Sequence, residues 1–386
     1  MAAATGVAVA SNYYAQPLLP VIGRSLHLSA GTAGLIVTVA QVGYALGLFF
    51  LLPLGDLLER RGLIVALSVA SAGALVVLGL APDATVLLAA AFAVGTLTVL
   101  AQILVPFAAS LAGEEERGRV VGMVMSGLLL GILLARTVAG LLAGLGSWRL
   151  VYLVAAGAMV VQAGVLRWRL PRSQETAGPR YPRLLASVPA LLRQEPVLLL
   201  RSVYGLLSFG TFSVFWTSMA FLLSRHYGYS PTVIGLFGLA GAAGAGAATL
   251  AGRFSDRGWS RRSTGISALL QVVSWGALWA GARSIGWLVV GIVVLDVGVQ
   301  GLHITNQGEI YRLRPEARSR LTAAYMIVYF VGGATGSALS AWTSGQYGWD
   351  GVCLVGAGFA VAALFVWLLA PARISTFVQT TGAGGS

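Results

Sequence analysis

Apolar runs of roughly twenty residues recur along the whole of this 386-residue chain, each closed by a charged or Gly/Pro break. They fall near 2–22, 31–54, 63–81, 85–111, 119–145, 149–169, 197–224, 231–251, 264–282, 285–309, 321–344 and 350–370. A backbone in hydrocarbon must satisfy its own N–H and C=O groups, and a helix does so within one segment. The expected fold class is therefore an all-α membrane protein with twelve transmembrane helices. Composition agrees: the chain is 57% apolar and only 10% charged, with 51 glycines. The first run is long enough to be a helix, so no cleaved leader is expected. The closing Gly382–Ser386 reads as a tail outside the fold.

The formal net charge of +12 would suggest a nucleic-acid partner in a soluble protein. Here every cation is Arg and most lie in alternate loops, so no nucleic acid is expected. The loops at 55–62, 113–119, 167–201, 252–262 and 309–320, with the tail, carry most of them. The opposite side holds Arg24, Arg149, Arg225 and Arg283. The asymmetry predicts an inner-membrane, multi-pass protein with both termini cytoplasmic. Cys353 lies in an apolar run with no second cysteine to pair with, and it reads as packing. The three histidines sit in different segments, so no metal site and no cofactor are expected. His27 and His226 fall near the outer surface and read as incidental.

Two loops half a chain apart share a pattern: Gly55-Asp56-Leu57-Leu58-Glu59-Arg60-Arg61-Gly62, and Gly252-Arg253-Phe254-Ser255-Asp256-Arg257-Gly258. Arg117-Gly118-Arg119 recurs as Arg318-Ser319-Arg320, and Trp148 as Trp349, both 201 residues on. Landmarks in constant order indicate two parallel six-helix halves, with a substrate site expected between them. The boundaries expected are 1–170 for the first bundle, 171–196 for a cytoplasmic linker, 197–374 for the second bundle and 375–386 for the tail. Within the linker, Tyr181–Leu192 has the pattern of a short amphipathic helix.

The paired loops resemble those of the major facilitator superfamily, whose loop between helices 2 and 3 reads roughly Gly-x-Leu-x-Asp-Arg-x-Gly-Arg-Arg and recurs between helices 8 and 9. The resemblance implies gating contacts on the cytoplasmic side, carried by Gly55, Asp56, Glu59, Arg60, Arg61, Gly252, Asp256 and Arg257. The first copy has Glu59 where the family has Asp, with Asp56 earlier, so either acid can be the working one. Asn12-Tyr13-Tyr14-Ala15-Gln16-Pro17-Leu18-Leu19-Pro20 and Arg314–Arg320 look like bacterial twelve-helix members of the drug–proton antiporter branch. Two features depart from that branch: the fifth helix lacks a Gly-Pro pair, and neither an acid in the first helix nor an Arg in the fourth is present.

Arg136 and Asp296 are ionisable residues within apolar spans, at similar expected depths, where an isolated charge costs several kcal/mol. The remaining acids and arginines fall in or near loops, so each is expected to be the other's best partner. Asp296, Gln300, His303 and Gln307, spaced 4, 3 and 4, share one helix face, with Asn306 beside them and Glu309 beyond. Such a stripe suits a water-accessible path, or else an interhelical hydrogen-bond seam. Asp296, Arg136 and His303 are the expected proton-coupling group. Substrate contacts are expected from Asn12, Tyr13, Gln16, Gln41, Tyr44, Gln102, Gln300, Asn306, Gln307, Tyr325 and Tyr329.

The reading is a monomeric secondary transporter that exchanges protons for a small organic molecule, most directly as an exporter. An importer or facilitator of a small anionic metabolite is the nearest alternative. A membrane-embedded enzyme would need a nucleophile with a base, or a metal cluster, at membrane depth, and the sequence offers neither.

Overall fold

Proline decides where the first span bends. In the computed structural model, which describes residues 1–113, 116–172, 180–241, 259–314 and 318–370, that span is two helices, α1 (Ala2–Ala10) and α2 (Ala15–Ser25). Pro17 has no N–H to give Tyr13, and its ring crowds that carbonyl. The chain crosses the gap on tighter bonds, Asn12 N–H to Val9 O at 3.2 Å and Tyr13 N–H to Ala10 O at 2.9 Å. The fourth span divides likewise into α5 (Ala84–Leu97) and α6 (Leu100–Leu111). There the Thr98 hydroxyl bonds back to Val94 O at 2.8 Å, a habit that bends helices.

The other early spans are α3 (Ala30–Phe50), followed by a 3-10 turn at Leu52–Asp56, α4 (Arg60–Gly79), α7 (Arg117–Gly144) and α8 (Trp148–Arg169). Side-chain caps set their starts: Ser29 accepts from Thr32 N, Asp83 from Val86 N and Ser147 from Arg149 N. Then come α9 (Tyr181–Gln194), α10 (Pro196–Arg225) and the short α11 (Pro231–Leu236) with a 3-10 turn at Phe237–Gly241. Past the residues not described lie α12 (Ser260–Ala280), α13 (Ile285–Leu313), α14 (Arg318–Gln346) and α15 (Gly348–Leu369). Among the described residues there is no strand, and nine helical segments are long and apolar enough to cross a membrane. The amphipathic segment expected at Tyr181–Leu192 is α9, with Leu184, Val188 and Leu191 buried along one face.

The chain divides into two compact units, Met1–Leu185 with Thr217–Leu239, and Ala186–Trp216 with the described residues from Ala240. The repeat-based boundaries follow sequence order, whereas Thr217–Leu239 groups with the first unit. The local reason is α11 on α7: Thr137 Oγ1 donates to Gly235 O at 3.1 Å and Thr232 Oγ1 to Gly140 O at 3.3 Å.

The same fastening recurs in each unit. In the first, Arg149 Nη1 at the start of α8 donates to Gly79 O at the end of α4 and to Ala81 O just past it, each at 2.9 Å. At the other end of that pair, Arg61 Nη1 donates to Leu170 O at 3.3 Å. In the second unit, Trp349 Nε1 on α15 donates to Leu278 O on α12 at 3.0 Å, and Arg261 Nη1 donates to Ala370 O at 2.6 Å. The third and sixth spans of each half are thus pinned at both ends, 200 residues apart in sequence.

Large apolar side chains such as Leu80, Val161, Phe365 and Leu369 stand exposed along the helices, as lipid-facing surfaces require. Between helices, packing relies on small residues. A Cβ at Gly95 on α5 would overlap the backbone of Ala40 on α3, whereas one at Gly73 on α4 would meet nothing. Gly95→Val should therefore cost about 1–3 kcal/mol and lower the thermal unfolding midpoint, while Gly73→Val leaves it unchanged. Differential scanning fluorimetry of the two purified variants checks this.

Candidate functional site

In the first unit the two helix breaks meet. Asn12 Nδ2, between α1 and α2, donates to Thr98 Oγ1, between α5 and α6, at 2.9 Å. One turn along, Gln16 on α2 accepts from Arg136 Nε on α7 at 2.7 Å, and the Arg136 guanidinium lies 5.1 Å over the Tyr13 ring. Arg136 is 3% exposed, so an amide oxygen and a ring face stand in for water around this charge. Gln102 Nε2 on α6 donates to the buried Tyr44 hydroxyl on α3 at 3.3 Å, and Gln41 is buried one turn before Tyr44. The structure thus gathers Asn12, Tyr13, Gln16 and Arg136 into one polar group, with Tyr44 and Gln102 as a second pair.

The first loop separates its two acids by role. Glu59 is the N-cap of α4, its carboxylate accepting from Arg61 N at 3.1 Å and Gly62 N at 2.7 Å. Asp56 is the acid that pairs with Arg60, Oδ1 to Nη2 at 3.5 Å. The Arg60 side chain also donates to Gly55 O at 2.9 Å and to Ser110 Oγ on α6 at 3.3 Å. Gly252, Asp256 and Arg257 of the second loop lie outside the described residues.

In the second unit the polar stripe of α13 meets three neighbouring helices. Asp296, 5% exposed, accepts from Trp216 Nε1 on α10 at 3.3 Å, and a Cβ at Gly241 would overlap its carboxylate. Gln300 follows, half-buried. His303 Nδ1 is 3.0 Å from the Tyr325 hydroxyl on α14, and its Nε2 is 3.1 Å from Gln307 Nε2. With the Gln307 amide donating, neutral His303 carries its proton on Nδ1, directed at Tyr325. Tyr329 completes an aromatic wall, stacked on Phe209 at 4.1 Å between ring centroids. Asn306, fully buried, accepts from Arg201 Nη1 at 3.5 Å and donates to Tyr325 at 3.5 Å.

Arg201 and Glu309, expected in or near loops, are both buried within helices. Arg201 lies in the second turn of α10 and is 5% exposed; Glu309 lies in α13 and is 9% exposed. Glu309 accepts from Ser260 Oγ on α12 and from Arg312, and faces Arg201 Nη2 across 3.9 Å. Arg201 donates to Thr264 on α12 at 2.9 Å. The Asn306–Glu309 end of the stripe is thus an interhelical seam within its own unit. The sequence signal for Arg201 was its place between Leu200 and Ser202, inside an apolar run rather than ahead of it. Arg136 and Asp296 belong to different units; within its own unit Arg136 meets Gln16 and Asp296 meets Trp216.

The model of the family described as the Major Facilitator Superfamily matches residues 1–308 and 202–382. The chain belongs to the Major Facilitator Superfamily. It is 53% identical over 369 residues to the "Uncharacterized transporter YgaY" of Escherichia coli O157:H7, covering 95% of this chain and 93% of that one. It is 33% identical over 376 residues to "Probable transporter SCO4007" of Streptomyces coelicolor, covering 97% of this chain and 87% of that one. Its fold is similar to that of a bacterial homolog of the human lysosomal transporter Spinster in an inward-facing, unoccupied conformation. That likeness has a TM-score of 0.76 at 15% identity and covers 98% of this chain and 96% of the other. The all-helical architecture fits the twelve-helix, two-domain layout, and the protein is a multi-pass membrane transporter of the alternating-access type rather than an enzyme.

Removing one partner of the buried Arg201–Glu309 pair strands the other charge. Arg201→Met or Glu309→Gln should each destabilise the protein by about 3–5 kcal/mol, and the double variant Arg201→Met/Glu309→Met by less than either. Denaturant unfolding of the three proteins measures the difference.

Proposed function

We propose that this transporter exports a small amphipathic organic molecule in exchange for protons, as in the drug–proton antiporter branch it resembles. The observation that carries the reading is Asp296, a carboxylate 5% exposed within the 29-residue apolar helix α13. A carboxylate there is charged only at a desolvation cost, which a proton removes. Asp296 is the proton carrier in this reading, with Arg136 and His303 setting when the proton is held. The substrate would be met by Asn12, Tyr13, Gln16, Gln41, Tyr44 and Gln102 in the first unit, and by Gln300, Asn306, Gln307, Tyr325 and Tyr329 in the second. Their mixture of amides and phenols beside aromatic rings suits a ligand that is partly apolar and has few charges.

The gating role is assigned to Asp56 and Arg60, which pair with each other, while Glu59 caps the start of α4. The protein is read as a monomer in the inner membrane with both termini in the cytoplasm, as its arginine distribution implies. A second reading, uptake of a small anionic metabolite, draws on the buried guanidinium of Arg136. Direction of flux separates the two.

Proteoliposomes with an imposed proton gradient and a panel of amphipathic cations, neutral compounds and organic anions test the proposal. Wild-type protein should accumulate a panel member against its gradient at a rate that changes with pH. Asp296→Asn should lose gradient-driven transport and keep substrate counterflow; a gradient-driven rate equal to wild type would remove Asp296 from coupling. In the same assay Asp56→Asn and Arg60→Ala should each abolish transport at normal expression. Glu59→Ala should instead cost about 1 kcal/mol of stability, the ordinary loss of an N-cap, read by thermal unfolding.

A further inference from the structure

Four arginines occupy the side of the protein where the charge asymmetry disfavours them, and two are accounted for locally. Arg149 is spent on the carbonyls of Gly79 and Ala81, and Arg283 lies 5.0 Å over the Trp279 ring. The other two, Arg24 and Arg225, converge with His27 on one cavity of about 430 Å³ within the first unit. None of the residues lining it is acidic. Arg24 closes the last turn of α2 and Arg225 the last turn of α10, where helix carbonyls favour a cation. That preference explains each arginine alone. It does not explain why two guanidiniums and an imidazole share one concavity, where like charges repel unless an anion joins them.

The backbone adds a second observation. His27 has φ 53, the left-handed conformation that glycine adopts freely and a side chain adopts at a cost. The turn is a helix C-cap, with Leu28 N–H bonded to Gly23 O at 2.8 Å and Leu26 N–H to Ile22 O at 3.0 Å. Glycine would make the same turn without strain. Histidine instead stands among the residues that line the cavity, together with apolar Pro20, Leu28 and Phe221. Arg225 lies 5.4 Å over the Phe221 ring, and Arg24 Nη1 donates to Ser224 Oγ at 3.2 Å, so both guanidiniums are oriented beside the cavity.

We propose that this cavity is a binding site for an amphipathic anion, a phosphate headgroup carrying an apolar chain. The two guanidiniums clasp the phosphate oxygens and the apolar wall receives the first carbons of the chain. The site is separate from the side chains assigned to coupling and to substrate, so it stands whether the transporter exports or imports. Its occupant is either an anionic lipid of the outer leaflet or a free amphipathic phosphate outside the cell, which share this chemistry.

The test uses the full chain in phosphatidylcholine nanodiscs, with hexyl phosphate titrated against the thermal unfolding midpoint. Wild-type protein should be stabilised in a saturable way, and inorganic phosphate should bind more weakly. R24Q/R225Q should bind hexyl phosphate about tenfold or more weakly, the loss expected for charged hydrogen bonds. R24K/R225K keeps both charges but not the guanidinium fork, so its affinity should fall between those of wild type and R24Q/R225Q, which carries the comparison if the glutamine variant is itself less stable. No saturable stabilisation of wild type, equal affinity in R24Q/R225Q, or equal binding of inorganic phosphate would overturn the proposal. Repeating the titration in phosphatidylglycerol nanodiscs identifies the source: weaker apparent binding assigns the site to the lipid, and unchanged binding assigns it to a free anion. Either result supports the site, and neither depends on transport.

Discussion

A charge carried into hydrocarbon has to bring its solvation with it, and both units are organised around that requirement. In the first unit, Arg136 is met by an amide oxygen from α2 and the ring of Tyr13. In the second, Arg201 is met by a hydroxyl from α12, an amide from α13 and the carboxylate of Glu309. Each guanidinium therefore ties its own helix to side chains of a neighbouring segment. That tie gives the bundles specific register, which apolar contact with lipid on one side and helix on the other does not supply.

The same requirement acts on the backbone. The first and fourth spans are interrupted inside the membrane region, which is tolerated only where the freed groups find partners in the protein. Shortened turns take up part of the deficit, and the Asn12–Thr98 bond ties the two interruptions together. A discontinuity of this kind places side chains at angles that a continuous helix cannot offer. Gln16 reaches Arg136 from the helix restarted beyond it.

Much of this was legible in the residues. The length of the apolar runs carried the fold, and the two loops with their offset landmarks carried the duplication. The gap in the first span was written in Pro17, but apolar length alone reads through it. Arg201 was lost for a related reason: a charge near the end of an apolar run looks like a loop residue until the helix is seen to begin at Pro196. The division of labour between Asp56 and Glu59 turns on which carboxylate faces two free backbone N–H groups. That follows from where α4 starts, a matter of one residue that side-chain type does not decide. The grouping of Thr217–Leu239 with the first unit depends on glycine contacts between α7 and α11, which no periodicity records.

Most of the bonds that pin the third span to the sixth in each half, those of Arg61, Arg149, Arg261 and Trp349 among them, end on main-chain carbonyl oxygens; the bond from Trp279 Nε1 to Asp350 Oδ1 ends on a side chain. Any amino acid supplies such an acceptor, so only the donor side chain constrains the sequence. After a duplication, the acceptor positions are free to drift without loosening the frame. Two halves can thus grow far apart in their residues and still keep the same skeleton.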